Sequence, residues 1–281
     1  MDVNDAAMRL TDGAEGLGVR PLAGEDTSAV LELIDADWLP GQRPAREILA
    51  SAGTGLRHGA TFVLCDEHRP VGVVRCGLRA ADAAGLVVWL HGREDFDVVA
   101  GLIAAARAHL GHRPLYACTG PATATGIPGL PVGHRKATAR ALTAAGFTPA
   151  AAQRYSLRDL TAEPPTPEYP LADVTPIADP PGWQLELTET DGTHIATAIL
   201  RAPTTETAGM AVLWQLAVRA EHRRQGIGTH LLNQCLHHTH AHGAHHLTAD
   251  IPDGDIPATR LLTTTGFLPV DTLTVYHRRH P

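Results

Sequence analysis

Lysine is almost absent from this sequence: of 23 basic residues only Lys136 is lysine, and the other 22 are arginine. A Schiff-base enzyme needs a lysine in its site, and a phosphate-binding P-loop needs one directly after a glycine. Lys136 does follow a glycine-rich stretch, Gly126 to Gly133, but His134 and Arg135 intervene and Ala137 comes next. That stretch reads as a surface loop leading into a helix. Cysteine is also scarce. Cys65, Cys76, Cys118 and Cys235 show no C-x-x-C spacing, which suits a reduced, cytoplasmic protein better than a disulfide scaffold. No apolar run reaches membrane-spanning length, and the opening Met-Asp-Val-Asn-Asp has no apolar core, so no membrane partner is expected. Positive charge is in deficit too: the net charge is −7, against which a nucleic-acid-binding face would be a local exception, and no nucleic-acid partner is expected.

What is present is enough for two domains. The chain has 281 residues, 44% of them hydrophobic and 19% charged, so a buried core is within reach and global disorder is excluded. The densest proline stretch, residues 159–182, reads as an extended linker, because proline fixes φ and removes a backbone donor. It divides a first domain, 1–158, from a second, 183–281. An internal repeat supports that division: Arg140-Ala-Leu-Thr-Ala-Ala-Gly-Phe-Thr-Pro149 recurs 120 residues later as Arg260-Leu-Leu-Thr-Thr-Thr-Gly-Phe-Leu-Pro269. Both copies predict a helix end, a C-terminal glycine and a following strand. Alternating patterns place an antiparallel meander and then a strand–helix–strand unit in each half, a mixed α/β layer. Helices are predicted over 28–36 and 44–51 in the first half. The second half shows neither these early helices nor an opening strand.

The chemistry concentrates in Leu216-Ala-Val-Arg-Ala-Glu-His-Arg-Arg-Gln-Gly-Ile-Gly-Thr-His-Leu-Leu232. An apolar strand runs into Arg223-Arg-Gln-Gly-Ile-Gly228, and a helix starts at once with Ile227, Leu231 and Cys235 on one face. A helix N-terminus carries unpaired N–H groups and partial positive charge, and so receives anions. The two glycines let phosphate oxygens approach the backbone, and Arg223 and Arg224 add forked cationic donors.

This segment resembles the GNAT superfamily of N-acetyltransferases, whose acetyl-CoA signature is Arg/Gln-x-x-Gly-x-Gly/Ala between a strand and a helix. The resemblance implies an α/β fold of two GNAT-like mixed-sheet domains in tandem, the second lacking the early helices. It implies acetyl-CoA as co-substrate, with no metal. Leu216, Ala217 and Val218 would pair through their backbone with the pantetheine arm. The amides of Arg224, Gln225, Gly226, Ile227, Gly228 and Thr229, with Arg223 beside them, would cradle the diphosphate. Asp255 stands where the family often has a cofactor-contacting asparagine. Leu262 stands where a tyrosine commonly protonates the departing thiolate.

The first half departs from the signature, with Glu94, Asp95 and Asp97 where phosphates would have to be received, and reads as a degenerate domain that supports the other. For the base that accepts the proton of an attacking amine, Asp250 at the end of a strand is the first choice, with Glu206 behind it and Gln215 as a hydrogen-bonding relay. A metal reading of the tract His237–His246, which has His238 and His242 at i, i+4, gives way to a solvated helix end. Trp89 and Trp214 read as core residues of the sheet. Two functions follow: acetyl transfer to a small-molecule amine by direct attack in a ternary complex, or a non-catalytic acyl-CoA-binding or regulatory protein. An oligomer is compatible with the sequence but not derivable from it.

Overall fold

The computed structural model describes residues 17–50, 56–119, 128–162, 164, 166–168, 170–203 and 209–279. Glu206, and Gly126 and Ile127 of the glycine-rich stretch, lie outside the described residues. The chain forms two compact units: one runs up to residue 152 and takes in 272–281, and the other comprises 153–271. No helix among the described residues is long and apolar enough to cross a membrane. All four cysteines are free and buried.

The first unit opens with strand β1 (Leu17–Pro21) and helices α1 (Thr27–Ala36) and α2 (Ala45–Ala50). Strands β2 (Leu56–Asp66), β3 (Arg69–Arg79) and β4 (Gly85–His91) form an antiparallel meander. Helix α3 (Phe96–Leu110), strands β5 (Leu115–Ala117) and β6 (Leu130–Pro131), and helix α4 (Lys136–Ala144) follow. Alternation along β2 shows how the layers are built. Val63 and Cys65 join the cluster of α1 and α2, whereas Leu64 joins that of α3 and α4. Helices therefore cover both faces of this sheet.

The last strand of the first unit comes from the far end of the sequence. β7 (Thr148–Asp159) begins in this unit, but its residues from 153 belong to the second. The unit is completed by β13 (Leu268–Arg278), whose Tyr276 and Arg278 pair with Ala117 and Leu115 of β5. The second unit takes the exchanged stretch of β7, which pairs antiparallel along β12 (His246–Pro252) from Gln153 to Asp159. A division at 158 thus falls at the end of a strand already engaged in the second unit.

In the second unit the strands β8 (Asp173–Ala178), β9 (Pro181–Thr188), β10 (His194–Arg201) and β11 (Met210–Val218) are antiparallel neighbours, and β12 pairs parallel to β11. Helices α5 (Ile227–Ala241) and α6 (Ile256–Thr264) flank β12 in sequence. β8 is the opening strand that the sequence conceals, and it lies inside the expected linker. Just before it, Gln234 of α5 donates to the Pro170 carbonyl and accepts from the Ala172 amide. A tight turn containing Asp179 and Pro180 leads straight from β8 into β9, in the place where the first unit has α1 and α2. The apolar cluster of this unit lies on the face that α5 covers: Leu185, Ala198, Leu213, Leu247 and Ala249 pack with Leu231, Cys235 and Leu262.

Candidate functional site

Beyond Leu213 and Ala249 the parallel strands β11 and β12 part company. The cause is a bulge. Ile199 of β10 faces Gln215 while Leu200 faces Leu213, so Trp214 is an extra residue in β11. A bulge bends its own strand and sharpens the twist, which here swings Gln215–Val218 away from β12 while β10 still holds them. The Arg219 amide donates to Ile195 at 3.0 Å, making Ala196↔Val218 a non-hydrogen-bonded pair. The N–H and C=O of Val218, and by alternation those of Leu216, therefore point to the edge that β12 has left. An extended ligand with amide groups can pair there as another strand would.

The same departure opens a cleft of about 790 Å³. Leu216–Val218 form one wall, His222–Arg224 and Gly226–Thr229 the end, and residues of α6 the other wall. Arg224 has φ of 64° and Gly226 φ of 82°, which turns the chain sharply into α5. Gly226 is the N-cap and supplies no side-chain acceptor, so the first-turn amides of α5 are left for an outside partner. The contrast within the chain is informative. Asp95 caps α3 and Asp255 caps α6, accepting from Ala258 N at 2.9 Å. A Cβ built on Gly226 would meet nothing within 4 Å, so the space in front of these amides is open. Arg223 Nε donates to the Val218 carbonyl at 3.0 Å, which braces the loop against the strand.

The structure brings Leu216, Ala217, Val218, Arg223, Arg224, Gly226, Ile227, Gly228, Thr229 and Asp255 together around this cleft. Gln225 is turned from it and donates to the Glu221 carbonyl. Asp250 does not line the cleft. It lies one residue past the last β11–β12 pair, opposite Tyr155 of β7. Leu247 and Ala249 face α5, so alternation sends Asp250 to the other face of the sheet, which no helix of this unit covers. There it is half-buried, and desolvation raises its pKa above the ordinary aspartate value. Leu262 is buried in the core, so no proton donor stands at that position.

Three features escaped the sequence. Tyr155, fully buried, is hydrogen bonded to Thr248 beside Asp250; its only advance signal was a strand-borne tyrosine. Arg260 lines the cleft from α6, a placement the repeat could have suggested. Trp214 is no core residue: it is 46% exposed and carries the Arg201 guanidinium 3.6 Å from its ring centroid. Trp89, by contrast, is buried. His238 and His242 pack against Trp183, and burial with the neighbouring charges of His242 and His237 lowers the His238 pKa to about 4.

The first unit has the same bulge, at Val88, because Arg75 faces Trp89 while Cys76 faces Val87. Its equivalent opening is filled by protein. Arg135, buried, donates to the Leu90 carbonyl at 2.9 Å and to Glu94 at 2.6 Å. Glu94 in turn accepts from the Ala137 amide at 2.7 Å and the Thr138 amide at 3.2 Å, so a carboxylate already occupies the N-terminus of α4. Buried His91 bonds Asp37 at 3.1 Å, and Arg135 approaches the same carboxylate at 3.3 Å. Burial alone would raise the Asp37 pKa, but these two partners bring it below the ordinary range. Only Gly92–Asp95 separate β4 from α3, whereas Arg219–Gly226 separate β11 from α5, so the phosphate loop itself is missing from the first unit.

Comparison with known proteins agrees with this division. The sequence model of the acetyltransferase (GNAT) family matches residues 152–267. The match is confined to this segment, and the chain as a whole has the tandem form of the GNAT fold. A GCN5-related N-acetyltransferase from Sphaerobacter thermophilus is similar at a TM-score of 0.64 and 14% identity, over 95% of this chain and 97% of that one. A tandem GNAT protein from the clavulanic acid biosynthesis pathway is similar at 0.62 and 16%, over 94% and 99%. A GCN5-related N-acetyltransferase from Kribbella flavida is similar at 0.55 and 17%, over 83% and 93%. At these identities the likeness is one of fold. No curated protein sequence matches the chain.

Proposed function

We propose that the unit formed by residues 153–271 binds acetyl-CoA in the β11–α5–α6 cleft and transfers the acetyl group to a small-molecule amine. The observation that carries this reading is the uncapped N-terminus of α5 opening beside the edge of β11 from which β12 has parted. The first holds a diphosphate, and the second holds a pantetheine arm with its two amides. CoA carries both at the matching ends of one molecule.

Transfer proceeds by direct attack. The amine must be neutral when it attacks, and Asp250, with its raised pKa, accepts the proton on the face of the sheet opposite α5. The Val218 amide, directed to the open edge, stabilises the oxygen of the tetrahedral intermediate. The carbon–sulfur bond then breaks. A thiol pKa near 8.5 makes the thiolate a fair leaving group, and water protonates it in place of a side chain at position 262. The carboxylate of Asp250 suits a cationic acceptor, in keeping with the overall charge of −7.

Buried Leu262 favours a second reading, a protein that binds acyl-CoA without turning it over. Calorimetric titration with acetyl-CoA, followed by thiol release against a panel of amines, separates the two. Binding with turnover of at least one amine is expected; binding without turnover supports the second reading, and no binding sinks both. Gly226→Glu places a carboxylate among the α5 amides and strains a left-handed position, and it should abolish acetyl-CoA binding in a protein that still folds.

A further inference from the structure

We propose that Arg260 receives the 3′-phosphate of CoA and so makes the cleft selective for CoA over its 3′-dephospho form. This rests on the cofactor reading above.

The cleft is far more cationic than the molecule that contains it. Arg223, Arg224 and Arg260 line it, and the one carboxylate among its lining residues, Asp255, is engaged in capping α6. Such a concentration in a chain of net charge −7 calls for a polyanionic ligand. The diphosphate carries about two negative charges, which the α5 amides with Arg223 and Arg224 are sufficient to meet. Arg260 stands apart from this group, on the opposite wall, which α6 provides. Its side chain is exposed and has no hydrogen-bond or ion-pair partner among the described residues. It is a cation facing a ligand site with nothing yet to neutralise it.

The repeat shows how far such an arginine reaches. Arg140 is the counterpart of Arg260 at the offset of 120, and in the first unit its guanidinium lies 5.2 Å from the ring centroid of Phe96. Phe96 is the first residue of α3, as Ile227 is of α5. An arginine here therefore spans from the second helix to the start of the first. In the second unit that span is the mouth of the cleft, with Leu261 packed 3.5 Å from the Cβ position of Gly228. The 3′-phosphate hangs from the ribose at the outer end of the diphosphate, so a cation across the mouth meets it after the inner cations have taken the diphosphate. A planar guanidinium can hold two phosphate oxygens at once.

The test is a double-mutant cycle between ligand and protein. Wild-type chain and Arg260→Gln are titrated calorimetrically with acetyl-CoA and with 3′-dephospho-acetyl-CoA. Removing the phosphate should weaken binding to the wild type about tenfold, a typical loss for one charge-assisted contact. Arg260→Gln should weaken acetyl-CoA by the same factor yet bind the dephospho ligand as the wild type does. Equal weakening toward both ligands would assign Arg260 to the diphosphate and overturn the proposal, as would no weakening at all. Failure of the wild type to bind acetyl-CoA would instead refute the cofactor reading. Because the side chain is exposed and unpartnered, the variant should keep the wild-type melting temperature, so a loss of binding is not a loss of fold.

Discussion

Asp250 shows how far a single residue's surroundings decide its role. It follows Ala249, the last residue of β12 paired to β11, and it lies on the face of the sheet that no helix of this unit covers. Burial penalises its charged form and raises its pKa, which moves a carboxylate toward the range of a useful base. Asp250→Asn should leave acetyl-CoA affinity unchanged and lower the rate of amine acetylation by roughly 100-fold or more. The pH profile is the sharper readout. Activity should rise with pH through the raised pKa of Asp250, and that acidic limb should vanish in the Asn variant. Stability has the opposite sign. A raised aspartate pKa favours the folded state below the unfolded value near 3.8, and this contribution is lost as pH rises through the folded pKa. The Asn variant should therefore melt no lower than the wild type at pH 7, with the difference shrinking as pH falls toward 3.8. A variant that melts much lower at pH 7 and binds acetyl-CoA poorly would mark Asp250 as structural.

Among the elements, β11 carries the design, and most of it was legible. The segment Arg223–Gly228 announced itself because a loop that receives an anion must use glycine and arginine at close spacing, a local constraint written in local sequence. The helix ends at Gly146 and Gly266, both with positive φ, were legible for the same reason. The bulge was not. Trp214 looks like any apolar strand residue, and only the register against Ile199 and Leu200 shows it to be extra. β8 was hidden by its surroundings, since prolines at 170, 176, 180 and 181 spell a linker, yet as an edge strand it can carry Pro176. Deletion of Trp214 tests the bulge. A regular β11 would keep its pairing with β10, continue beside β12 and close the edge at Leu216–Val218. The shortened protein should keep its far-UV circular dichroism and lose acetyl-CoA binding by titration. Retained binding would mean that the parting of β11 and β12 has another cause.

The whole molecule is two related units that share a plan and differ in what fills it. Where the second unit leaves helix amides, a strand edge and arginines open, the first closes its counterpart with Glu94 and Arg135. The exchange of final strands could not be read in advance, because β7 and β13 have similar apolar patterns and their partners, β12 and β5, lie far away in sequence. It has a consequence for how the chain can be divided. A fragment of residues 153–271 retains β7, β8 and every lining residue of the cleft, so it should fold and bind acetyl-CoA with an affinity close to that of the full chain. A fragment of residues 183–281 keeps the same lining residues but lacks the strand that pairs with β12 along seven residues and the strand that covers β9. It exposes two apolar sheet edges and should aggregate or remain unfolded. A fragment of residues 1–158 loses the partner of β5 and should be much less stable than its unit is within the chain. Size-exclusion chromatography, circular dichroism and calorimetry on the three fragments decide the matter. A well-folded, ligand-binding 183–281 would show that the exchanged strand is dispensable, and that the proline-rich segment is a linker after all.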